Sequence, residues 1–299
     1  MVTLQEITYR ICICKADTGF VNGVIIRGDS GLIIIDTMLF PKDSRAMAVI
    51  AKSFNKPIKF VINTHWHSDH CYGNRYFANE YTTVIAHQDF RDTIIREKPV
   101  IARKESFIKR KNLVYPHITF LNELSFENPY KLKMIHMPGH TIDSSIILDE
   151  ARGVVIVGDT VLNSRDGRFA IPYFYWGNSN QLLQSQKQLL GMDIKTIIPG
   201  HGNVVGKDKI LLDIRYITTL KSLFGKWLKR NEVEVRRGVE LSGEIEIASL
   251  IVKDIPITSC LPEFRYEDFW VPRMHELNIQ QLLREFSFTK KVTEKTEEK

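Results

Sequence analysis

The chain has 299 residues, of which 43% are hydrophobic and 25% charged, with a formal net charge of +6. That is the composition of an ordinary globular protein with enough length for a substantial core, which excludes collagen-like and disordered classes. No apolar run approaches the ~20 residues of a membrane span, and the opening MVTLQEITYRICICK lacks the basic-then-apolar order of a secretory leader. The expectation is a cytoplasmic protein with no membrane partner.

In chain order, the start reads as a strand. FVNGVIIRGDSGLIIIDT pairs two β-branched runs across Asp29-Ser30-Gly31, a hairpin signal. Residues 42–55 carry apolar positions at helical spacing and stop before Pro57. KFVINT is a buried strand, a helix is expected over 71–79, TTVIA is a strand, and 87–111 reads as helix broken or kinked near Pro99. KLKMIHM, SIILD, GVVIVGD and IKTIIPG are further strands, with helices over 180–190 and 210–230. Strands mixed with helices in both halves indicate an α/β fold with sheets inside and helices outside. The expected organisation is a catalytic domain over 1–230, a C-terminal extension over 231–289 packing on the core or a partner, and a charged tail over 290–299 that frays or is disordered. The aromatic, irregular stretch 260–270 has no clear element.

Cys12, Cys14, Cys71 and Cys260 include no C-x-x-C pair and read as small core residues. One basic cluster stands out, Arg103, Lys104, Lys109, Arg110 and Lys111. It reads as a solvated helix face, the alternative being a patch that steers anionic substrates.

Nine histidines are present, and five of them fall in three short motifs. His65-Trp-His67-Ser-Asp69-His70 follows KFVINT, Pro-Gly-His140-Thr follows KLKMIHM, and Pro-Gly-His201-Gly follows IKTII. A fourth motif, Gly158-Asp159-Thr160, ends GVVIV. Each motif sits where a strand run stops, and strand ends gather at one rim where loops build sites. Imidazole and carboxylate suit zinc, iron, manganese or nickel. Seven candidate ligands (His65, His67, Asp69, His70, His140, Asp159 and His201) are too many for one tetrahedral ion. They suit two ions about 3.5–4 Å apart that share an activated water.

Over residues 18–202 the order hairpin, Asp36, H-x-H-x-D-H, G-H, G-D, G-H resembles the metallo-β-lactamase superfamily. The resemblance implies an αββα sandwich of two mixed β-sheets flanked by helices. It implies a first metal on His65, His67 and His140, a second on Asp69, His70 and His201, and Asp159 bridging both. His70 directly after Asp69 resembles the hydrolase branches with two full metal sites, whereas the zinc β-lactamases usually lack that histidine. Leu162 stands where acyl-homoserine lactonases often carry tyrosine, and the basic C-terminal signature of glyoxalase II enzymes is not found after His201.

The expected activity is therefore hydrolysis by a metal-bridging hydroxide, on small ester, lactone, thioester, phosphodiester or β-lactam substrates and with low selectivity. Two divalent ions per chain are expected, zinc first, with iron or manganese as the other candidates. Asp69 would orient the nucleophile and hand on a proton. Asp36 would fix a histidine tautomer, or else cap a turn. Five aromatic residues, Phe169, Tyr173, Phe174, Tyr175 and Trp176, would form a hydrophobic substrate wall or ordinary packing. His87 would cap a helix, and His117, His136 and His275 would be structural. The competing readings are a nuclease with a basic groove, nucleic acid being the less favoured partner, and a mononuclear iron persulfide dioxygenase. A homo-oligomer is compatible with everything above.

Overall fold

The computed structural model describes residues 1–17, 21–104, 113–127, 130–164, 170–231, 244–263, 265 and 270–297. They form two compact units. One comprises Met1–Met137, Asp143–Thr160 and Asp193–Val205, and the other Pro138–Ile142, Val161–Met192 and Gly206–Lys299. The second unit combines segments from the middle of the chain with its C-terminal part.

The first unit holds both sheets. Seven strands run in spatial order: β1 (Val2–Glu6), β2 (Ile11–Ala16), β3 (Asn22–Arg27), β4 (Leu32–Ile35), β5 (Ile58–Ile62), β6 (Thr83–His87) and β7 (Ile118–Phe120). The first four pair antiparallel and the last three add on parallel, so the sheet is mixed. The hairpin closes as expected, with Arg27 opposite Leu32 and the Gly28 N–H donating to the Gly31 carbonyl. The second sheet has β12 (Thr196–Pro199), β11 (Val154–Gly158), β10 (Ser145–Asp149), β9 (Leu132–His136) and β8 (Glu123–Phe126) in that order. It is also mixed, because only β11 and β12 are parallel.

Strand pleating sorts the first sheet's side chains. Ile13, Val24, Ile26, Ile33 and Ile35 meet Leu132, Met134, Ile147, Val154, Ile156 and Ile198 of the second sheet in one buried cluster. The alternate residues Cys14, Ile25, Leu32 and Ile34 point to the opposite face. There they pack on Met47 and Ala51 of helix α1 (Pro41–Ser53), which begins with proline in its first turn. Burial on both faces explains why these strands read as unbroken apolar runs rather than alternating ones.

The expected helix over 71–79 is shorter and starts earlier. A helical turn, α2 (Ser68–Cys71), passes into a 3-10 turn, Tyr72–Tyr76. It is cut short because Asn74 is buried and tied to other elements. Its side chain accepts from Thr37 Oγ1 at 2.8 Å and exchanges hydrogen bonds with Asn63 at 2.8 and 3.1 Å. Helix α3 (Asp89–Lys104) passes Pro99 without the expected interruption. Arg103 and Lys104 close it, and Lys109, Arg110 and Lys111 lie outside the described residues.

The second unit is helical: α4 (Ser179–Gly191), α5 (Lys207–Arg230), α6 (Glu244–Asp254), α7 (Ile257–Cys260) and α8 (Trp270–Glu297). Its core joins Tyr216, Leu220 and Phe224 of α5 to Ile247, Ile251, Ile279, Leu282 and Leu283. The stretch after residue 230 therefore shares one core with α4 and α5. Its charged end continues as the last turns of α8. Phe264, Tyr266 and Phe269 of the irregular aromatic stretch lie outside the described residues. No helix among the described residues is long and apolar enough to cross a membrane.

Candidate metal centre

Six of the seven residues singled out by the motifs lie in the first unit, beyond the ends of three strands. His65, His67, Asp69 and His70 follow β5, Asp159 follows β11, and His201 follows β12. Parallel pairing of β4 with β5, and of β11 with β12, brings these ends together two by two. The two rims are then tied to each other. The Ser145 N–H donates to the Thr64 carbonyl at 2.9 Å, and Asn22 Nδ2 donates to the carbonyls of Pro199 and Gly202 on either side of His201. Two glycines make the approach feasible. Gly158 turns in the left-handed region with φ of 49°, where a Cβ would also meet Thr64 Oγ1 at 2.5 Å. At Gly200 a Cβ would stand 2.1 Å from Asp159 Oδ1 and 2.8 Å from the His70 ring.

Ligand-type atoms of His65, His67 and Asp159 lie within 4.8 Å of one another, and so do those of Asp69, His70 and His201. Asp159 faces both sets. Its Oδ1 is 3.3 Å from His70 Nε2, and its Oδ2 is 3.5 Å from His201 Nε2 and 3.9 Å from His65 Nε2. Asp69 Oδ2 stands 3.2 Å from His201 Nε2 and 3.7 Å from His70 Nε2.

One buried carboxylate orders two of the imidazoles. Asp36 Oδ1 accepts from the Thr64 N–H at 2.9 Å, and Oδ2 accepts from Thr64 Oγ1 and from His70 Nδ1, each at 2.8 Å. With its proton spent on Asp36, Thr64 Oγ1 can only accept from His65 Nδ1, 3.0 Å away. In their neutral form both rings therefore carry the proton on Nδ1 and turn the Nε2 lone pair toward the cluster. Thr64, the middle of this relay, was not singled out by sequence, although it stands directly before the first histidine. Asp36 also sits at φ of 55°, a backbone region that aspartate tolerates.

The donor set fits divalent cations. His70 Nε2 is buried with no hydrogen bond although carboxylates surround it. His65 Nε2 and His67 Nδ1 are 3.0 Å apart, close to the ~3.3 Å that two nitrogens adopt on one tetrahedral zinc with Zn–N of ~2.0 Å. The protonation pattern makes the same demand for positive charge. Burial disfavours charge on His70 and His201, but the carboxylates outweigh it. Asp159, Asp69 and Asp36 hold His70 well above the usual imidazole range. Asp159 and Asp69 raise His201 to about 10. Burial would likewise raise the carboxyl groups, yet His70 and His201 hold Asp69 and Asp159 well below the ordinary range. Cations would displace these protons and meet the same demand.

The seventh motif residue, His140, is in the second unit and buried. Its Nδ1 donates to the Tyr173 carbonyl at 2.7 Å, which leaves Nε2 as the basic nitrogen of the neutral ring. Tyr173, Tyr175 and Trp176 are half-buried in the same unit, whereas Phe174 is fully buried in its core. Phe174 therefore packs rather than lining a surface, and Phe169 lies outside the described residues. The remaining histidines have packing and hydrogen-bond partners. His87 Nδ1 accepts from the Asp89 N–H at the start of α3, and His117 Nδ1 accepts from the Val84 N–H. His136 stacks on His87, and His275 bonds to Tyr216. Cys71, next to His70, donates its thiol to the Trp66 carbonyl at 3.3 Å, and burial pushes its pKa up. All four cysteines are buried and free.

Comparison with known proteins agrees with this geometry. The family model for the metallo-β-lactamase superfamily matches residues 16–201. The chain is 23% identical over 172 residues to a hydroxyacylglutathione hydrolase of Pelagibacter ubique, with 56% of this chain and 61% of that protein covered. It is 29% identical over 194 residues to a probable metallo-hydrolase of Methanocaldococcus jannaschii, covering 61% and 88%. The match thus spans about three fifths of the first relative's length. Among solved structures, a metallo-β-lactamase from Pontibacter korlensis superposes with a TM-score of 0.59 at 16% identity, over 73% of this chain and 99% of that one. That likeness fixes the fold as the α/β metallo-β-lactamase sandwich of two mixed sheets flanked by helices. With the model matched over more than half its length, this chain belongs to the metallo-β-lactamase superfamily.

Proposed function

We propose that this chain is a hydrolase dependent on two divalent cations, acting on small ester, lactone, thioester, phosphodiester or β-lactam substrates. The observation that carries this reading is Asp159, whose carboxylate oxygens lie 3.3–3.9 Å from His65, His70 and His201 and so face both groups of ligand-type atoms in the first unit. His65, His67 and His140 would hold the first cation and Asp69, His70 and His201 the second, with Asp159 shared. Zinc suits this imidazole–carboxylate donor set, and iron or manganese would be accepted by the same atoms. When bound, the pair supplies an acidified water near neutral pH and draws charge from the substrate oxygen.

The protein's own groups do the rest. The Asp36–Thr64 relay holds His65 and His70 with Nε2 forward. Asp69, 28% exposed against 7% for Asp159, is the carboxylate with access to solvent and leaving group, and its role is to orient the water and pass on a proton. Tyr173, Tyr175 and Trp176 supply an apolar surface for the substrate body.

The presence of a hydroxyacylglutathione hydrolase among the relatives favours carbonyl substrates, thioesters included, over phosphodiesters. A mononuclear iron oxygenase would use one of the two ligand groups and not require the other. A nuclease would need a basic groove, and the basic cluster at 103–111 falls largely outside the described residues. The test is a panel of the five substrate classes assayed with metal-stripped and zinc-reloaded protein. Zinc-dependent turnover of at least one carbonyl substrate supports the proposal, and oxygen uptake on a persulfide with no hydrolysis of any substrate overturns it.

A further inference from the structure

Helix α8 lies far from every motif in sequence, yet one of its faces is bonded along the whole segment 172–179. Asn278 Nδ2 donates to the Pro172 carbonyl at 2.7 Å, and its Oδ1 accepts from the Phe174 N–H at 3.0 Å. One turn on, Gln281 Nε2 donates to the Gly177 carbonyl at 2.7 Å. A further turn on, Arg284 donates to the Tyr175 hydroxyl at 2.9 Å and lies over that ring. Glu285 accepts from both the N–H and the hydroxyl of Ser179. The spacing 278, 281, 284/285 is that of a single helical face.

Asn278 is the member linked through one peptide group to His140. Its amide grips the peptide groups on both sides of Tyr173, and the carbonyl of Tyr173 is the acceptor for His140 Nδ1. Two bonds at adjacent peptide groups leave that carbonyl little freedom to rotate. Nδ2 also lies 3.2 Å from the Tyr216 hydroxyl, a longer bond than the one to Pro172. That hydroxyl contacts His275 Nδ1 at 2.8 Å, while His275 Nε2 donates to the Ile255 carbonyl at 2.8 Å. All these groups are in the second unit, and Asn278, Tyr216 and His275 are buried. A buried asparagine with its donor and acceptor both committed to backbone is an expensive way to pack a helix, since an apolar residue would fill the space without polar groups to satisfy.

We propose that Asn278 is a positioning residue for His140: by clamping Pro172 and Phe174 it fixes the Tyr173 carbonyl that sets the tautomer and direction of the imidazole. The proposal rests on the reading of His140 as a ligand of the first cation. On that reading the stretch after residue 230 is part of the metal-binding apparatus.

The experiment is zinc binding by the full chain, titrated against a chromophoric chelator, for Asn278→Ala, Tyr216→Phe and His140→Ala. Circular dichroism and thermal melting are run on each. The Asn278→Ala protein should bind one of its two zincs about 10-fold to 100-fold more weakly, the usual effect of losing an orienting partner. Tyr216→Phe, which keeps both backbone bonds of Asn278, should melt earlier with zinc affinity unchanged. His140→Ala should lose one zinc. If His140→Ala loses zinc while folded Asn278→Ala binds it normally, the positioning role is wrong and the metal site stands. Equal weakening in Tyr216→Phe would mean general loosening and would also overturn it. If His140→Ala keeps both zincs, the site reading fails and takes this inference with it. Should Asn278→Ala not fold, Asn278→Asp, which keeps the acceptor for Phe174 and loses the donor to Pro172, is read by the same criteria.

Discussion

Replacing Asp36 with asparagine tests the relay behind the two imidazoles with almost no change of shape. Asparagine tolerates the positive φ at this position as aspartate does, so the backbone effect is small. The native carboxylate accepts three hydrogen bonds: two from Thr64 and one from His70. An amide offers one oxygen, so whichever way it is turned its NH2 group faces at least one of these donors. With nitrogen toward His70 and Thr64 Oγ1, His70 must give up its Nδ1 proton to accept one, and the proton moves to Nε2. That nitrogen faces Asp69 and Asp159 and would no longer be a ligand. Two buried hydrogen bonds, one of them to a charged group, are worth about 2–4 kcal/mol together, which a domain of about 5–15 kcal/mol survives. Loss of an orienting carboxylate lowers metal affinity about 10-fold to 100-fold, or about 1.4–2.8 kcal/mol. The assay is chelator-competed zinc titration on protein whose fold is checked by circular dichroism. A folded Asp36→Asn protein that binds zinc as tightly as wild type would refute the tautomer argument.

Three other predictions follow from the same geometry. Gly200→Ala should abolish zinc binding with modest loss of stability, since its Cβ would fall 2.1 Å from Asp159 Oδ1; a variant retaining two zincs by elemental analysis would contradict this. Carboxylates hold the His70 pKa well above the usual imidazole range and raise His201 to about 10, so zinc binding should release protons from these rings. Apparent zinc affinity should therefore climb as pH rises toward about 10, and the calorimetric heat of binding should vary with the buffer's ionisation heat; a buffer-independent heat would argue against it. Tyr175→Ala should raise KM for the best apolar substrate several-fold with kcat little changed, as expected when uniform binding is lost, and a fall in kcat alone would count against the aromatic wall.

The strands and the metal motifs were legible because each rests on a local signal. β3, β4 and β11 are built on runs of valine and isoleucine, and each histidine motif stands just after the end of a strand. Less legible were features set by partners distant in the chain. The helix after His67 stops early because Asn74 is tied to Thr37 and Asn63. Phe174 sits in an aromatic run that reads as a wall, but its core neighbours on α4, α5 and α8 bury it. The direction of the Thr64 hydroxyl is set by Asp36, 28 residues earlier. Asn278 carries no motif at all, and its part follows from bonds to residues more than 100 positions away. Helices before and after residue 230 likewise meet only in the folded core.

The central claim is that two cations share Asp159. Metal content by elemental analysis, paired with hydrolysis of the best substrate, measures it directly in wild type and Asp159→Ala. The account predicts two divalent ions per wild-type chain, fewer than two in the variant, and loss of nearly all turnover. Unchanged stoichiometry with unchanged hydrolysis in a folded Asp159→Ala protein would contradict it.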